Sequence, residues 1–345
     1  MALNLDYEPL VAVSTEGMRE DEWLAWRRKG IGGSDSSIVM GCSPFRTTRD
    51  LYYDKRGIPN SVDDKPNWVA LEVGHRLESL VAEIFSRKTG YRTYQIQKMF
   101  RHPLFPFMQA DVDFFLETDE GRKGILECKT SHLNNMEKWA NGAVPYNYEL
   151  QCRHYMAVMN LDFVWIACLF SNSENDFVMA RIDRDLEFEE MLIESERHFW
   201  EDYVQAGVEP PYTESGDLVL ASLRRHYGPS EPEHAAVTLS PALEDCLAQY
   251  VRLKEDKKDH DAASKMLESR MKTLIAPVMD EMGTAENAVL RTSRCTYSVR
   301  YASQYKRSIP REKLEQLQRE KPAVFEEYVV VGESRPINVK CKEVV

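Results

Sequence analysis

Between Leu71 and Lys88 the apolar residues Leu77, Leu80, Val81, Ile84 and Phe85 recur at helical spacing, and Gly90 follows as a stop. The pattern predicts a long amphipathic helix there. Upstream, residues 20–58 read as short helices broken by turns. Gly30, Gly32 and Gly33 precede Ser34 and Asp35, which cap a helix running to Gly41, and Thr47 or Thr48 caps a second that stops at Gly57. Downstream the period shortens. Strand-like stretches fall around 92–100, at 107–117 and at 124–130, the last two joined by the turn-forming TDEGRK. A helix at about 146–160 precedes FVWIACLF (163–170), apolar throughout and therefore a central strand buried on both faces. FVMARID (177–183) pairs beside it, and a helix at 186–206 closes the unit.

Beyond residue 208 the pattern changes. Five prolines punctuate 208–241, which reads as a linker with one short helix near 217–226. Residues 241–283 are a highly charged helix or helical hairpin, and the tail carries an alternating stretch, a helix near 310–319 and a terminal strand. The expected organisation is a catalytic unit over 1–208, a linker over 209–240 and an appendage over 241–345. The fold class is α/β (α+β), a central mixed β-sheet flanked by helices with a smaller helical or α+β appendage.

Composition adds exclusions. With 43% hydrophobic and 29% charged residues in 345, the chain is that of an ordinary globular protein with two domains. It has no apolar run long enough to span a membrane, and its acidic N-terminus lacks the order of a signal peptide. Seven scattered cysteines without a CxxC pair point to reduced thiols in a cytoplasmic setting, against a zinc ribbon or iron–sulfur cluster. A net charge of −12 does not exclude nucleic acid, because phosphates are met within a Debye length of about 8–10 Å. Two segments are locally basic: Arg27, Arg28 and Lys29 with Arg46, Arg49, Lys55 and Arg56, and 286–311 with Arg291, Arg294, Arg300, Lys306, Arg307 and Arg311. Either is also readable as a solvated face.

The chemistry concentrates in the hairpin. Residues two apart on a strand share a face, so Glu127 and Lys129 point one way and Cys128 the other. Asp113 lies on the partner strand, where the short turn brings it to Glu127. Two carboxylates hold Mg²⁺ through hard oxygen ligands, with the Cys128 carbonyl completing the set, and a lysine offsets charge developing on a phosphate. A surface Glu–Lys pair on an edge strand is the plain alternative. Against it, these charges end apolar strands, where charge is costly unless paired or metal-bound. Glu78 lies at the margin of the helix's packed face, with Gly74 leaving room above it; pairing with Arg76 or Arg87 is the other reading. The turn at 30–33 exposes backbone N–H groups at a helix start, an anion site or a simple cap. His75, His102, His132 and His154 lack metal-ligand spacing, with support of the neighbouring site open to His75 and His154. The run Tyr297, Arg300, Tyr301, Tyr305, Lys306 and Arg307 either clamps DNA or is a half-buried strand.

RRKGIGGSDSSIVMGCSPF (27–45), GHRLE (74–78), ADVDF (110–114), ILECKTS (125–131) and PYNYELQCRHYMAV (145–158) occur in an order that resembles the YqaJ viral recombinase family. That family is akin to phage lambda-type exonucleases of the PD-(D/E)XK superfamily. The resemblance runs on through SIPREKLEQLQREKPAVFEEY and SRPINVK near the C-terminus. It implies catalytic roles for Glu78, Asp113, Glu127 and Lys129, metal binding by Asp113, Glu127 and Cys128, and substrate binding by Gln151 and Tyr155 on a flanking helix. Arg27 and Ser34 match the positions that receive a DNA 5′-phosphate. Many members have glycine after the motif aspartate, where Phe114 stands here, so Asp111 is the alternative ligand.

The function implied is an Mg²⁺-dependent 5′-to-3′ exonuclease on double-stranded DNA ends, with Mn²⁺ able to substitute. It would leave 3′ single-stranded tails for recombination by an annealing protein of the RecT or Redβ kind, in the cytoplasm of a bacterial host, from a phage or mobile element. A homo-oligomeric ring is a further expectation from lambda-type relatives. The rival readings are an endonuclease of the same fold and a catalytically silent DNA-binding module.

Overall fold

The computed structural model describes residues 3–62 and 67–228, scattered positions from 248 to 266, and 287–291, 296–300 and 309–329. The chain divides into two compact units, Met1–Pro232 and Glu233–Val345. In chain order the first unit contains β1 (Leu10–Ser14), α1 (Glu20–Arg27), α2 (Gly33–Val39), α3 (Thr48–Arg56) and α4 (Trp68–Thr89). Then come β2 (Arg92–Tyr94), β3 (Lys98–Arg101), β4 (Gln109–Ala110), β5 (Phe114–Glu117), β6 (Lys123–Thr130) and α5 (Tyr146–Met159). Strands β7 (Phe163–Leu169) and β8 (Phe177–Asp183) and helices α6 (Leu186–His198) and α7 (Gly216–Tyr227) complete it.

Five strands form a mixed sheet in the order β2-β5-β6-β7-β8, antiparallel except for the parallel pair β6 and β7. The expected α/β architecture is therefore present, with a helix on each face. Side-chain alternation along β6 explains how. Ile125 packs with Met156 and Cys152 of α5 on one side, while Leu126 and Cys128 pack with Val81, Ala82 and Phe85 of α4 on the other. Of these, Ile125, Met156, Leu126, Val81 and Phe85 each contribute about 1.5–3 kcal/mol by burial. β7 is buried almost throughout, as an apolar strand between two neighbours must be.

Two expected strands divide. The 92–100 stretch breaks at 95–97 into β2 and β3, which belong to different sheets, because β3 pairs with β1 and β4 in a separate three-stranded sheet. The 107–117 stretch likewise breaks at 111–113, with β4 in the small sheet and β5 in the large one. Asp113 therefore stands just before β5 and not within a strand. Local apolar patterning does not distinguish one long strand from two short ones that change sheets.

The helix ends follow their sequence signals with one correction. Thr47 caps α3, its hydroxyl accepting the Asp50 amide while the Asp50 carboxylate accepts the Thr47 amide, and Gly57 closes the helix at φ 67°. Gly90 ends α4 at φ 79°. α2, by contrast, is capped by Gly32 and not by Ser34 or Asp35; Asp35 sits a turn inside and its carboxylate accepts the Gly32 amide at 2.9 Å. The proline-rich stretch after 208 is bonded down as far as α7. Arg49 donates to the Pro210 carbonyl, the Glu214 carboxylate accepts from Thr48, and Arg225 and Ser222 reach Asp50.

In the second unit, strands Asn287–Arg291 and Thr296–Arg300 pair antiparallel, and helices Arg311–Glu320 and Pro322–Tyr328 follow. Most of the expected 241–283 helix lies outside the described residues. So do Arg294, Tyr301, Tyr305, Lys306, Arg307 and the expected terminal strand. Among the described residues no helix is long and apolar enough to cross a membrane.

Candidate active site

Antiparallel pairing sets Phe114 opposite Leu126, which brings Asp113 level with Glu127 at the open end of the β5–β6 hairpin. Asp113 Oδ2 accepts the Cys128 backbone N–H at 2.8 Å, fixing the aspartate to the strand that carries the other acid. Glu127 is 1% exposed. Its Oε1 accepts from Gln151 Nε2 of α5 at 2.6 Å and pairs with the Lys129 ammonium. Its Oε2 is buried and meets no donor among the described residues. The Lys129 ammonium also lies 5.3 Å from the centre of the Tyr148 ring. Cys128, on the opposite face, is buried in the α4 cluster, and burial pushes its thiol well above the ordinary value, so its sulfur stays protonated.

The acids outnumber the cation that faces them. Burial, and then the Glu127 charge, push Asp113 up to about 7. Burial, and then Asp113, push Glu78 up to about 7 as well. Glu127 is raised mainly by burial, with Glu78 and Asp111 adding to it and Lys129 opposing. Burial alone would lower Lys129, but Glu127 and Asp113 more than offset it and hold the ammonium charged. Three carboxyls thus share one ammonium. A hard divalent cation suits that set, since the unmatched Glu127 Oε2 is an oxygen donor already stripped of water. Among the described residues no three His, Cys, Asp or Glu side chains form a metal cage by themselves. Two carboxylates plus a main-chain carbonyl make a different kind of donor set.

These groups line one cleft of about 600 Å³, together with every catalytic, metal-binding and substrate-binding residue that the resemblance implies: Glu78, Asp113, Glu127, Cys128, Lys129, Gln151, Tyr155, Arg27 and Ser34, with Asp111. Glu78 is bonded to neither Arg76 nor Arg87, which pair with Glu72 and Glu83; the His75 ring nitrogen Nδ1 lies 3.6 Å from its carboxylate. Above it Gly74 is open, where an added Cβ would meet only Thr130 Oγ1 at 3.7 Å. On the other side of the cleft Arg27 Nη2 donates to Ser34 Oγ at 2.7 Å. Gly33 lets α2 come this close to α5, since a Cβ there would lie 2.5 Å from the Tyr155 ring. Tyr155 in turn accepts from Gln151 and donates to the Asp111 carbonyl.

Some residues that shape the site were not singled out in the sequence, and others have a different part from the one expected there. Trp23 donates its indole N–H to Asp111 Oδ2 at 2.6 Å and lies under the Arg27 guanidinium, 4.8 Å away. That bond engages one oxygen, Oδ2, of the alternative ligand. Asp35 faces Lys55 Nζ at 2.7 Å and Arg27 Nη2 at 3.6 Å, so Lys55 is an interior counter-ion and not part of a solvated face. Trp23 and Arg27 are four apart on α1, a helical-face signal legible in the sequence; nothing local marks Lys55. His154 is a core residue. Its Nδ1 bonds Glu196 at 2.8 Å, its Nε2 bonds the Gln109 carbonyl at 2.8 Å, and the Ser36 hydroxyl donates to Glu196.

A domain model described as the YqaJ-like viral recombinase domain matches residues 22–162. Over 265 residues the chain is 33% identical to the uncharacterized protein YqaJ of Bacillus subtilis (strain 168), an overlap of 76% of this chain and 80% of that one. Among solved structures it is similar to the alkaline exonuclease LHK-Exo of Laribacter hongkongensis, at 17% identity and TM-score 0.45, covering 55% of this chain and 94% of that one. A phage related exonuclease from Haemophilus somnus 129PT overlaps at 14% identity and TM-score 0.38, covering 54% and 99%.

Proposed function

The chain belongs to the YqaJ-like viral recombinase family, and from that premise we propose that it is a divalent-metal-dependent DNA exonuclease acting through Glu78, Asp113, Glu127 and Lys129. The observation that carries this reading is Glu127, a buried carboxylate with one oxygen held by Gln151 and Lys129 and the other without a donor among the described residues. Asp113, Glu127 and the Cys128 carbonyl are the groups that would hold Mg²⁺, with Mn²⁺ as a substitute. Bound there, the cation supplies Lewis-acid polarisation of a phosphoryl group. Gln151 pins the Glu127 carboxylate, and Glu78 adds a third acid from α4. The Lys129 ammonium orients the attacking water and offsets charge that develops on the phosphate.

Arg27 and Ser34 receive the 5′-phosphate of a double-stranded DNA end, and Gln151 and Tyr155 flank the strand to be cut. That placement gives 5′-to-3′ polarity and leaves a 3′ tail for a RecT- or Redβ-type annealing protein, in the cytoplasm of a bacterial host; a homo-oligomeric ring would enclose the duplex. The test compares linear 5′-phosphate, linear 5′-hydroxyl and covalently closed circular DNA in Mg²⁺. Linear DNA is degraded from its 5′ ends, fastest when phosphorylated, and circles stay intact. Cut circles would make the protein an endonuclease, and binding without cleavage in any divalent metal would make it a DNA-binding module.

A further inference from the structure

Gln109 lies on β4 and lines the same cleft, yet it is only 6% exposed. Its main chain is fully engaged: the amide donates to the Ile31 carbonyl and its own carbonyl accepts from His154 Nε2. Its side chain makes no hydrogen bond among the described residues, and Oε1 is completely buried. A buried amide oxygen left without a partner is destabilising, so an unmatched one in a folded chain calls for a reason. A Cβ at Gly30 would lie 2.4 Å from the Phe107 carbonyl oxygen and 2.8 Å from Gln109 Cδ, so the glycine lets its turn sit close against both that backbone and the amide. Gly30 also follows Arg27 by three residues, which puts the unmatched amide beneath the turn between Arg27 and Ser34.

We propose that Gln109 is a substrate-binding residue whose side-chain amide hydrogen-bonds the terminal nucleotide of the DNA strand seated between Arg27 and the acids. With Oε1 buried, the amide offers its Nε2 donors, which suit the acceptor oxygens of a nucleotide's phosphate, sugar or base edge without adding charge. This rests on the exonuclease reading for the identity of the ligand. The unmatched amide gives it a test independent of turnover.

The variant Gln109→Leu removes the amide and keeps most of the volume; Gln109→Glu keeps the shape and adds a charge that repels phosphate. Binding of a fluorescent, 5′-phosphorylated duplex to the full chain is read by anisotropy in EDTA, alongside thermal unfolding. Gln109→Leu is expected to weaken binding about five- to tenfold, with a Tm equal to or above that of the parent because no internal bond is lost. Gln109→Glu weakens binding further. Parent-like binding by either folded variant overturns the proposal, and so does a Gln109→Leu Tm drop with binding unchanged, which would make the amide structural. If the parent binds the duplex neither in EDTA nor with a divalent cation present, it is the exonuclease reading that fails.

Discussion

Asp35 is buried behind Arg27, which lines the cleft, and Asp113 is half-buried in the cleft itself, yet the two acids are treated in opposite ways. Lys55 and Arg27 face Asp35, and their charges outweigh the burial that would raise it, so its carboxyl is held below the ordinary range. Asp113 faces Glu127, and burial with that like charge pushes it up to about 7. The first acid is finished within the chain and serves to hold Arg27 and the α2 turn. The second belongs to a set whose charge the chain leaves uncompensated. A fold that could have supplied another lysine or arginine supplies instead a buried oxygen without a donor among the described residues. The contrast separates acids that build the cleft from acids that wait for a ligand.

Substitution can break the comparison from either side. The largest effect is expected on catalysis: Glu127→Ala or Lys129→Ala lowers DNA cleavage at least about a hundredfold, measured at saturating Mg²⁺, because each removes preorganised charge from the reaction centre. Retained activity in both would place the chemistry elsewhere. Next is Asp35→Asn. It strands the Lys55 ammonium in the interior, a change that costs about 3–5 kcal/mol, read by denaturant unfolding. Asp113→Asn does the reverse. With no metal present it relieves a like-charge contact while still accepting the Cys128 amide, so stability rises by about 1 kcal/mol, or roughly 2–4 °C in Tm. If both asparagine variants lose stability equally, the distinction between the two acids disappears.

The sequence made one half of this contrast visible. Charges closing the apolar strand at 124–126 stood out because their position conflicts with burial, and the period of two set Glu127 and Lys129 on one face. The apolar spacing of α4 and the unbroken run of β7 were equally plain. What stayed hidden depends on partners far along the chain. Lys55 sits in a basic run that gives no sign of an interior counter-ion. The splitting of 107–117, which places Asp113 between two sheets, is decided by the pairing of β4 with β3. β1, an edge strand of that small sheet, is largely exposed and shows no clear alternation. The unmatched Gln109 amide is invisible until its surroundings are known.

A smaller effect concerns the core beside the site. His154 Nε2 faces a carbonyl and Nδ1 a carboxylate, so both nitrogens donate and the ring is protonated. Burial would lower its pKa, but Glu196 outweighs that and raises it above the ordinary 6.5. A raised folded value stabilises fully below the unfolded pKa, and the contribution fades as pH rises through the folded one. The stability difference between the parent and His154→Asn is therefore largest near pH 6 and shrinks in alkaline buffer; a difference that grows with pH would contradict the charged ring.

The central claim is that Asp113 and Glu127 are completed by a divalent cation, and thermal unfolding against Mg²⁺ concentration tests it without substrate. The parent is predicted to gain stability progressively, reaching about 2.7 kcal/mol at a hundredfold excess over Kd, while Glu127→Gln and Asp113→Asn gain little. No gain in the parent, or the same gain in all three proteins, would contradict the account.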